Sequence, residues 1–154
     1  MAQYRKALKN YTTSAPLPNM INKIQGILLD FGALGIGFGY EPDGSGKLSS
    51  IIFSIDVGSG QLGVKVPFQW RKVKQVLDEQ GYYKNDDQAY RVAVANVKDW
   101  LDAQMAFYAT NMVEFPQIFL PYINTPSGKT YYEIASENGF QLEDKSQVGA
   151  EKIT

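Results

Sequence analysis

The sequence predicts an α+β fold, in which an N-terminal helix is followed by a three-stranded antiparallel meander and then by a short and a long helix packed on one face of the sheet. Two observations predict it. Apolar residues recur every three or four positions before residue 32, alternate with other residues over 34–67, and then return to the helical spacing. The chain of 154 residues is 44% hydrophobic, which suits one domain with a substantial core.

We expect a single domain over residues 1–140. Its first part, residues 1–18, is expected to be an extended or flexible arm, because Pro16 and Pro18 disfavour helix in the residues before them. Residues 141–154 carry more acidic than basic side chains and are expected to form an acidic, frayed tail.

The first helix is predicted over Asn19–Phe31, where apolar side chains fall on one face. Gly32 suits the left-handed position that ends a helix. Alternating apolar residues then predict three strands, joined by glycine-rich turns at 42–46 and 58–60. Gly35, Gly37 and Gly39 lie within the first strand, so they indicate a face open to close approach rather than a phosphate-binding loop.

Two more helices follow. The shorter one is predicted over Trp70–Leu77, and the longer one is expected to be capped by Asp86 or Asp87 and to end near Asn111, a length of about 24 residues or ~36 Å. Because so long a helix exceeds what one small sheet covers, we expect a homodimer through it. The Phe115–Ile123 stretch is predicted to be a buried crossing segment with one irregular turn, and Thr130–Ala135 a short strand or helical turn.

The absence of two residue types excludes most familiar catalytic machinery. The chain has no Cys and no His, so it has no disulfide, thiolate nucleophile, catalytic triad or zinc-finger site. Asp99 and Asp102 share a face of the long helix, but solvated charges explain them better than a metal site does. We predict no catalytic residue, no metal and no cofactor. The enzymatic alternative is a carboxylate- and metal-dependent hydrolase.

Neither end of the chain suggests a membrane. The N-terminal residues lack the apolar run of a signal peptide, and no apolar stretch approaches the roughly 20 residues that span a bilayer. We therefore expect a protein of the cytoplasm, without a membrane partner.

The most suggestive cluster is basic and aromatic. Lys and Arg neutralise phosphates, and aromatic rings stack on bases, so such a cluster binds nucleic acid without His or Cys. Trp70, Tyr90 and Trp100 are assigned to the core instead. The predicted ligand-binding residues are Lys65, Arg71, Lys72, Lys74, Tyr82, Tyr83, Lys84 and Arg91.

The C-terminal half carries a run of short motifs: KDWLDAQMA at 98–106, MVEF at 112–115, IFLPY at 118–122 and SGKTYYE at 127–133. This pattern resembles a family of small phage and prophage proteins, most of them without an assigned activity. The resemblance implies a viral setting, and hence the cytoplasm of a host cell, but supplies no catalytic residue.

Together these observations favour a non-enzymatic accessory protein of a phage or prophage that binds nucleic acid or a nucleotide through its basic, aromatic surface. The alternative is a protein-binding inhibitor of a host enzyme or defence system, with tyrosine-rich loops and an exposed sheet edge as its contact surface. A virion structural role is the third possibility.

Overall fold

The predicted α+β fold is confirmed in a computed structural model that describes residues 6–141. In chain order the elements are α1 (Leu17–Asp30), β1 (Leu34–Tyr40), β2 (Leu48–Asp56), β3 (Gln61–Pro67), α2 (Trp70–Glu79), α3 (Asp86–Ala109), α4 (Phe115–Phe119), a 3-10 helix (Leu120–Tyr122) and α5 (Tyr131–Glu137). Apart from its first residue, the predicted acidic tail over 141–154 lies outside the described residues.

The sheet is an antiparallel meander in the order β1-β2-β3. In the central strand, Ile51, Phe53 and Ile55 are buried on the face that meets the helices. On the opposite face, Ile52 lies between Gly37 and Lys65 of the neighbouring strands and is exposed. The alternation read from the sequence therefore separates an inner, helix-covered face from an outer, open one.

Helix α1 begins two residues before the predicted Asn19. Pro16 is its N-cap and Pro18 lies in its first turn, where a missing N–H costs nothing. Its end is as predicted, because Gly32 adopts a left-handed φ of 87° and its N–H donates to the Leu29 carbonyl at 2.9 Å. Pro16 and Pro18 disfavour helix in the residues before them, and they therefore lie at the start of the helix.

Helix α3 is 24 residues long, as the periodicity predicts, but its cap is neither predicted aspartate. The Asn85 side chain accepts the Gln88 N–H at 2.8 Å, and Asp86 and Asp87 occupy the first helical turn. Six of the seven buried residues of α3 lie in its N-terminal half, and the Tyr90 hydroxyl accepts the Leu48 N–H at 2.9 Å, which fixes the helix against the sheet.

The C-terminal half of α3 is less covered. Ala103, Ala106 and Phe107 are exposed along it. The homodimer contact expected on this helix stays a prediction.

None of the helices within residues 6–141 combines the length and apolar character that a membrane span requires.

The centre of the core is the ring of Phe119. It makes edge-to-face contacts with Phe31 at the end of α1, Phe53 of β2 and Trp100 of α3, with ring centroids 5.9, 5.1 and 6.1 Å away. The predicted crossing segment is therefore buried at Phe119, although it forms two short helical turns instead of one irregular turn, and Leu120 faces solvent.

After the 3-10 helix the chain returns to the sheet. Ile123 forms an antiparallel bridge with Val64 of β3, and the Asn124 N–H donates to the Gly63 carbonyl at 2.9 Å. Thr130 then caps α5 by accepting the Glu133 N–H at 3.2 Å, so this segment takes the helical of its two predicted forms.

The arm ahead of α1 is described from residue 6 onward and lies against α2 and α3. The Asn10 side chain donates to the carboxylate of Asp99 at 2.9 Å. The Gln88 side-chain amide donates to the backbone carbonyls of Tyr11 and Thr13 at 3.2 and 3.0 Å. These polar contacts join the arm to one side of α3.

We expect Phe119→Ala to lower the free energy of unfolding by about 3–5 kcal/mol, because it removes a fully buried ring and leaves a cavity among the surrounding aromatic rings. Urea denaturation followed by far-UV circular dichroism measures the change. Phe107→Ala is the control: Phe107 is 45% exposed, so its loss is expected to stay within roughly 1 kcal/mol. Equal losses in the two variants would show that Phe119 is not central to the core.

Candidate functional site

A cleft of about 570 Å³ lies between β3, the start of α2 and the C-terminal segment. The bridge between Val64 and Ile123 places that segment beside β3. On the other side Gln69, at a left-handed φ of 48°, turns the chain from β3 into α2. The cleft is lined by Lys65, Pro67, Gln69, Lys72, Pro121, Tyr122, Thr130, Tyr132 and Glu133.

Two predicted site residues, Lys65 and Lys72, line this cleft together. Lys65 lies on the outer face of β3 and Lys72 in the first turn of α2, and both are exposed. Within the part of the chain that the structure describes, neither amine forms an ion pair. Their charges are therefore available to an anion in the cleft.

The opposite wall supplies aromatic rings. Tyr122 is half-buried and packs edge-on against Trp100, with 5.7 Å between the ring centroids, which fixes its orientation. Tyr132 is exposed and lies 5.9 Å from the ring of Phe140. An anion attached to a flat ring would meet amines on one wall and aromatic faces on the other.

The carboxylate in the lining is that of Glu133. Its Oε1 accepts a hydrogen bond from the Thr130 hydroxyl at 3.2 Å, and the Glu133 N–H donates to the same hydroxyl at 3.2 Å. The two contacts form a closed local ring of hydrogen bonds, so the side chain is held at the start of α5.

Arg71 does not line the cleft and has partners of its own. Its guanidinium contacts Glu41 at 3.0 Å and Asp43 at 3.2 Å, and it stacks over the Trp70 ring at 4.7 Å from the centroid. Hydrogen bonds from Ser45, aided by the Arg71 charge, lower the pKa of Asp43. The interactions tie α2 to the turn between β1 and β2.

Lys74, Tyr83 and Asp86 form a second structural group. The Lys74 amine lies 2.9 Å from the Asp86 carboxylate, and the Tyr83 hydroxyl donates to the same carboxylate at 2.7 Å. Hydrogen bonding to Asp86 raises the pKa of Lys74 and of Tyr83, and the two donors in turn lower the pKa of Asp86. The group links α2 to the first turn of α3.

The remaining predicted site residues have separate surroundings. Tyr82 is exposed, and its ring lies 4.5 Å from that of Tyr11 in the arm. Lys84 is exposed and forms no ion pair with a described residue. Arg91 is half-buried, and its Nε has no hydrogen-bond partner among the described residues. None of the three lines the cleft.

The core assignments of the aromatic residues are confirmed. Trp70 and Tyr90 are buried, and Trp100 packs against Phe119. The sequence reasoning missed Gln69, Tyr122, Thr130, Tyr132 and Glu133, which belong to the cleft. Four of them come from the FLPY and SGKTYYE motifs, whose dense tyrosines and hydroxyls were the available signal.

Asp99, one of the two carboxylates considered for metal binding, has other partners. Asp99 contacts Lys9 and Lys98, each at 3.3 Å, and Asn10. Burial alone would raise the pKa of Asp99, but these hydrogen bonds outweigh it and lower the pKa. Over residues 6–141, no three Asp or Glu side chains are grouped so that they could hold a metal ion.

A second hollow, of about 360 Å³, lies beside the end of α3. Asp56 and Glu114 contribute carboxylates to it, and the stacked rings of Tyr108 and Phe115, 4.5 Å apart, form its apolar side. It contains none of the predicted site residues.

We expect Asp86→Asn to lower the urea midpoint at pH 7 and to lower it by less near pH 2. The lowered pKa of Asp86 means that the stabilisation is fully present above the unfolded value of about 3.9 and is lost as the pH falls through the folded value. Lys74 stays protonated over this range because its pKa is raised. Equal losses at the two pH values would rule out an ionic contribution.

Asp78→Asn is the matched control for this experiment, since Asp78 is exposed and forms no ion pair within the described residues. We expect it to leave the midpoint at pH 7 undiminished.

Comparisons of the whole chain with protein-family models, with curated proteins and with solved structures found no match.

Proposed function

We propose that the protein is a non-enzymatic, phage- or prophage-type accessory protein that binds a nucleotide, or one nucleotide of a single-stranded nucleic acid, in the cleft beside β3. One observation carries the proposal: Lys65 and Lys72, which are free of ion pairs with described residues, face the same cleft as Tyr122 and Tyr132. The resemblance to small phage and prophage proteins supports the viral setting and, with it, the host cytoplasm.

The size and chemistry of the cleft suit this ligand. Small-molecule sites are usually clefts of roughly 300–1,000 Å³, and this one measures about 570 Å³. The phosphate would lie between the amines of Lys65 and Lys72, and the base would stack on a tyrosine ring. Gln69 and Thr130 add neutral hydrogen-bonding groups to the wall.

The side chains that line the cleft favour binding of a ligand without its chemical conversion. The chain has no imidazole or thiol, and among the described residues that line the cleft the one carboxylate is that of Glu133. The proposed role is therefore recognition of a ligand and not its conversion.

The double substitution Lys65→Ala plus Lys72→Ala is expected to weaken binding of a mixed-sequence single-stranded oligonucleotide by about tenfold or more, because charged hydrogen bonds to phosphate are lost. Fluorescence anisotropy at several salt concentrations measures this. For the wild-type protein, a plot of the logarithm of the binding constant against the logarithm of the salt concentration is expected to have a slope of about −1.4, the value for two neutralised phosphates.

Lys84→Ala is the matched control, since Lys84 is an exposed lysine outside the cleft with no ion pair among the described residues. This variant should bind the oligonucleotide within about twofold of the wild-type affinity. Such a change is smaller than the contribution of one ordinary hydrogen bond. Binding that does not depend on salt would contradict the proposal. So would an equal loss of affinity in the Lys84→Ala variant and in the Lys65→Ala plus Lys72→Ala variant.

The second candidate, an inhibitor of a host enzyme or defence system, is supported by exposed apolar side chains on the C-terminal segment. Leu120, Tyr131 and Phe140 are each about half exposed or more. Strand β1 is also an edge of the sheet, with Leu34 and Tyr40 exposed, so its outer edge could accept a further strand.

On this second candidate, the tagged protein should retain a specific host protein from nuclease-treated lysate, and Tyr131→Ser plus Phe140→Ser should abolish the retention. The Lys65→Ala plus Lys72→Ala protein should retain the partner normally. Identical capture by both variants would count against an inhibitor surface at this segment.

A further inference from the structure

The cleft divides its charges between two walls. Lys65 and Lys72 belong to β3 and α2, and Glu133 belongs to α5. No ion pair joins Glu133 to either lysine in the described part of the chain, so the carboxylate does not neutralise them. A phosphate held by the lysines would be repelled by Glu133, so that wall is left for the rest of the ligand.

The orientation of the Glu133 carboxylate is set before any ligand arrives. Thr130 donates to its Oε1, and no hydrogen bond from a described residue is made to its Oε2. A carboxylate has about four lone-pair positions, and all of them accept. At the Glu133 carboxylate, a ligand group that presents N–H or O–H donors is therefore favoured.

The common bases differ in the donors that they offer. Guanine presents two adjacent N–H groups, at N1 and N2, which fit the two oxygens of one carboxylate. Adenine and cytosine present an amino group beside a ring-nitrogen acceptor, and uracil presents one N–H between two carbonyls, so each places an acceptor against the carboxylate. Among these bases, guanine alone donates to both oxygens of the Glu133 carboxylate.

We propose, on the basis of the nucleotide-binding function above, that Glu133 makes the cleft selective for guanine nucleotides. The phosphate lies at Lys65 and Lys72, and the Watson–Crick edge of guanine faces Glu133. The tyrosine rings hold the base between these two ends.

Calorimetric titration of the full chain with GMP, IMP and AMP tests the assignment. IMP lacks only the N2 amino group of GMP, so it loses one donor and keeps the phosphate and the ring shape. We expect GMP to bind roughly 5- to 150-fold more tightly than AMP, the range for one bidentate base contact, with IMP between them. Glu133→Gln is expected to remove most of the preference for GMP.

Glu137→Gln is the matched control. Glu137 belongs to the same helix but pairs with Lys129 at 2.7 Å outside the cleft lining, so the order of affinities should persist. If all three nucleotides bind equally and depend on Lys65 and Lys72, the selectivity is overturned while the proposed function stands. If none binds, the guanine assignment is overturned, and if the single-stranded oligonucleotide also fails to bind, the proposed function is overturned with it.

Discussion

The packing of Phe119 determines where the candidate site lies. Its ring contacts aromatic residues from α1, β2 and α3, and each such edge-to-face pair contributes about 0.5–1.5 kcal/mol beyond the area that it buries. Because Phe119 is the last residue of α4, its burial fixes the start of the 3-10 helix that follows. The chain then reaches β3 at Ile123, and the cleft opens between these two anchored points. A change in the core would thus alter the wall that carries Tyr122.

The cations of this protein fall into two groups, those with and those without ion-pair partners among the described residues, and burial alone does not distinguish them. Arg71 and Lys74 form ion pairs that join α2 to neighbouring segments, whereas Lys65 and Lys72 have no such partners among the described residues. Exposed ion pairs contribute little stability, about 0–1 kcal/mol each, but they reduce the charge that a ligand would meet. The net charge of a sequence segment therefore says less about its ligand than the partner of each individual cation does.

Local patterns predicted most of the fold. The alternation around Gly35–Gly39 predicted the first strand, and Gly32 ended α1 as expected, since both depend on nearest neighbours. Asn85 was missed as the cap of α3 because adjacent aspartates are equally good caps. The site was predicted only in part. Lys65 and Lys72 stood in a recognisable basic segment, but their partners Tyr122 and Glu133 are distant in sequence, and only tertiary packing through Phe119 and Ile123 brings them near.

Helix α5, which completes the cleft, lies on the surface. None of the seven residues of α5 is buried, so the helix depends mainly on its Thr130 cap. Thr130 also orients the Glu133 carboxylate, which couples formation of the helix to the geometry of the cleft. A ligand that contacts Tyr132 and Glu133 on one wall and lysines on the other would add long-range contacts to α5. Binding and stabilisation of this helix are then the same event, because a ligand that binds only the folded arrangement favours it by mass action.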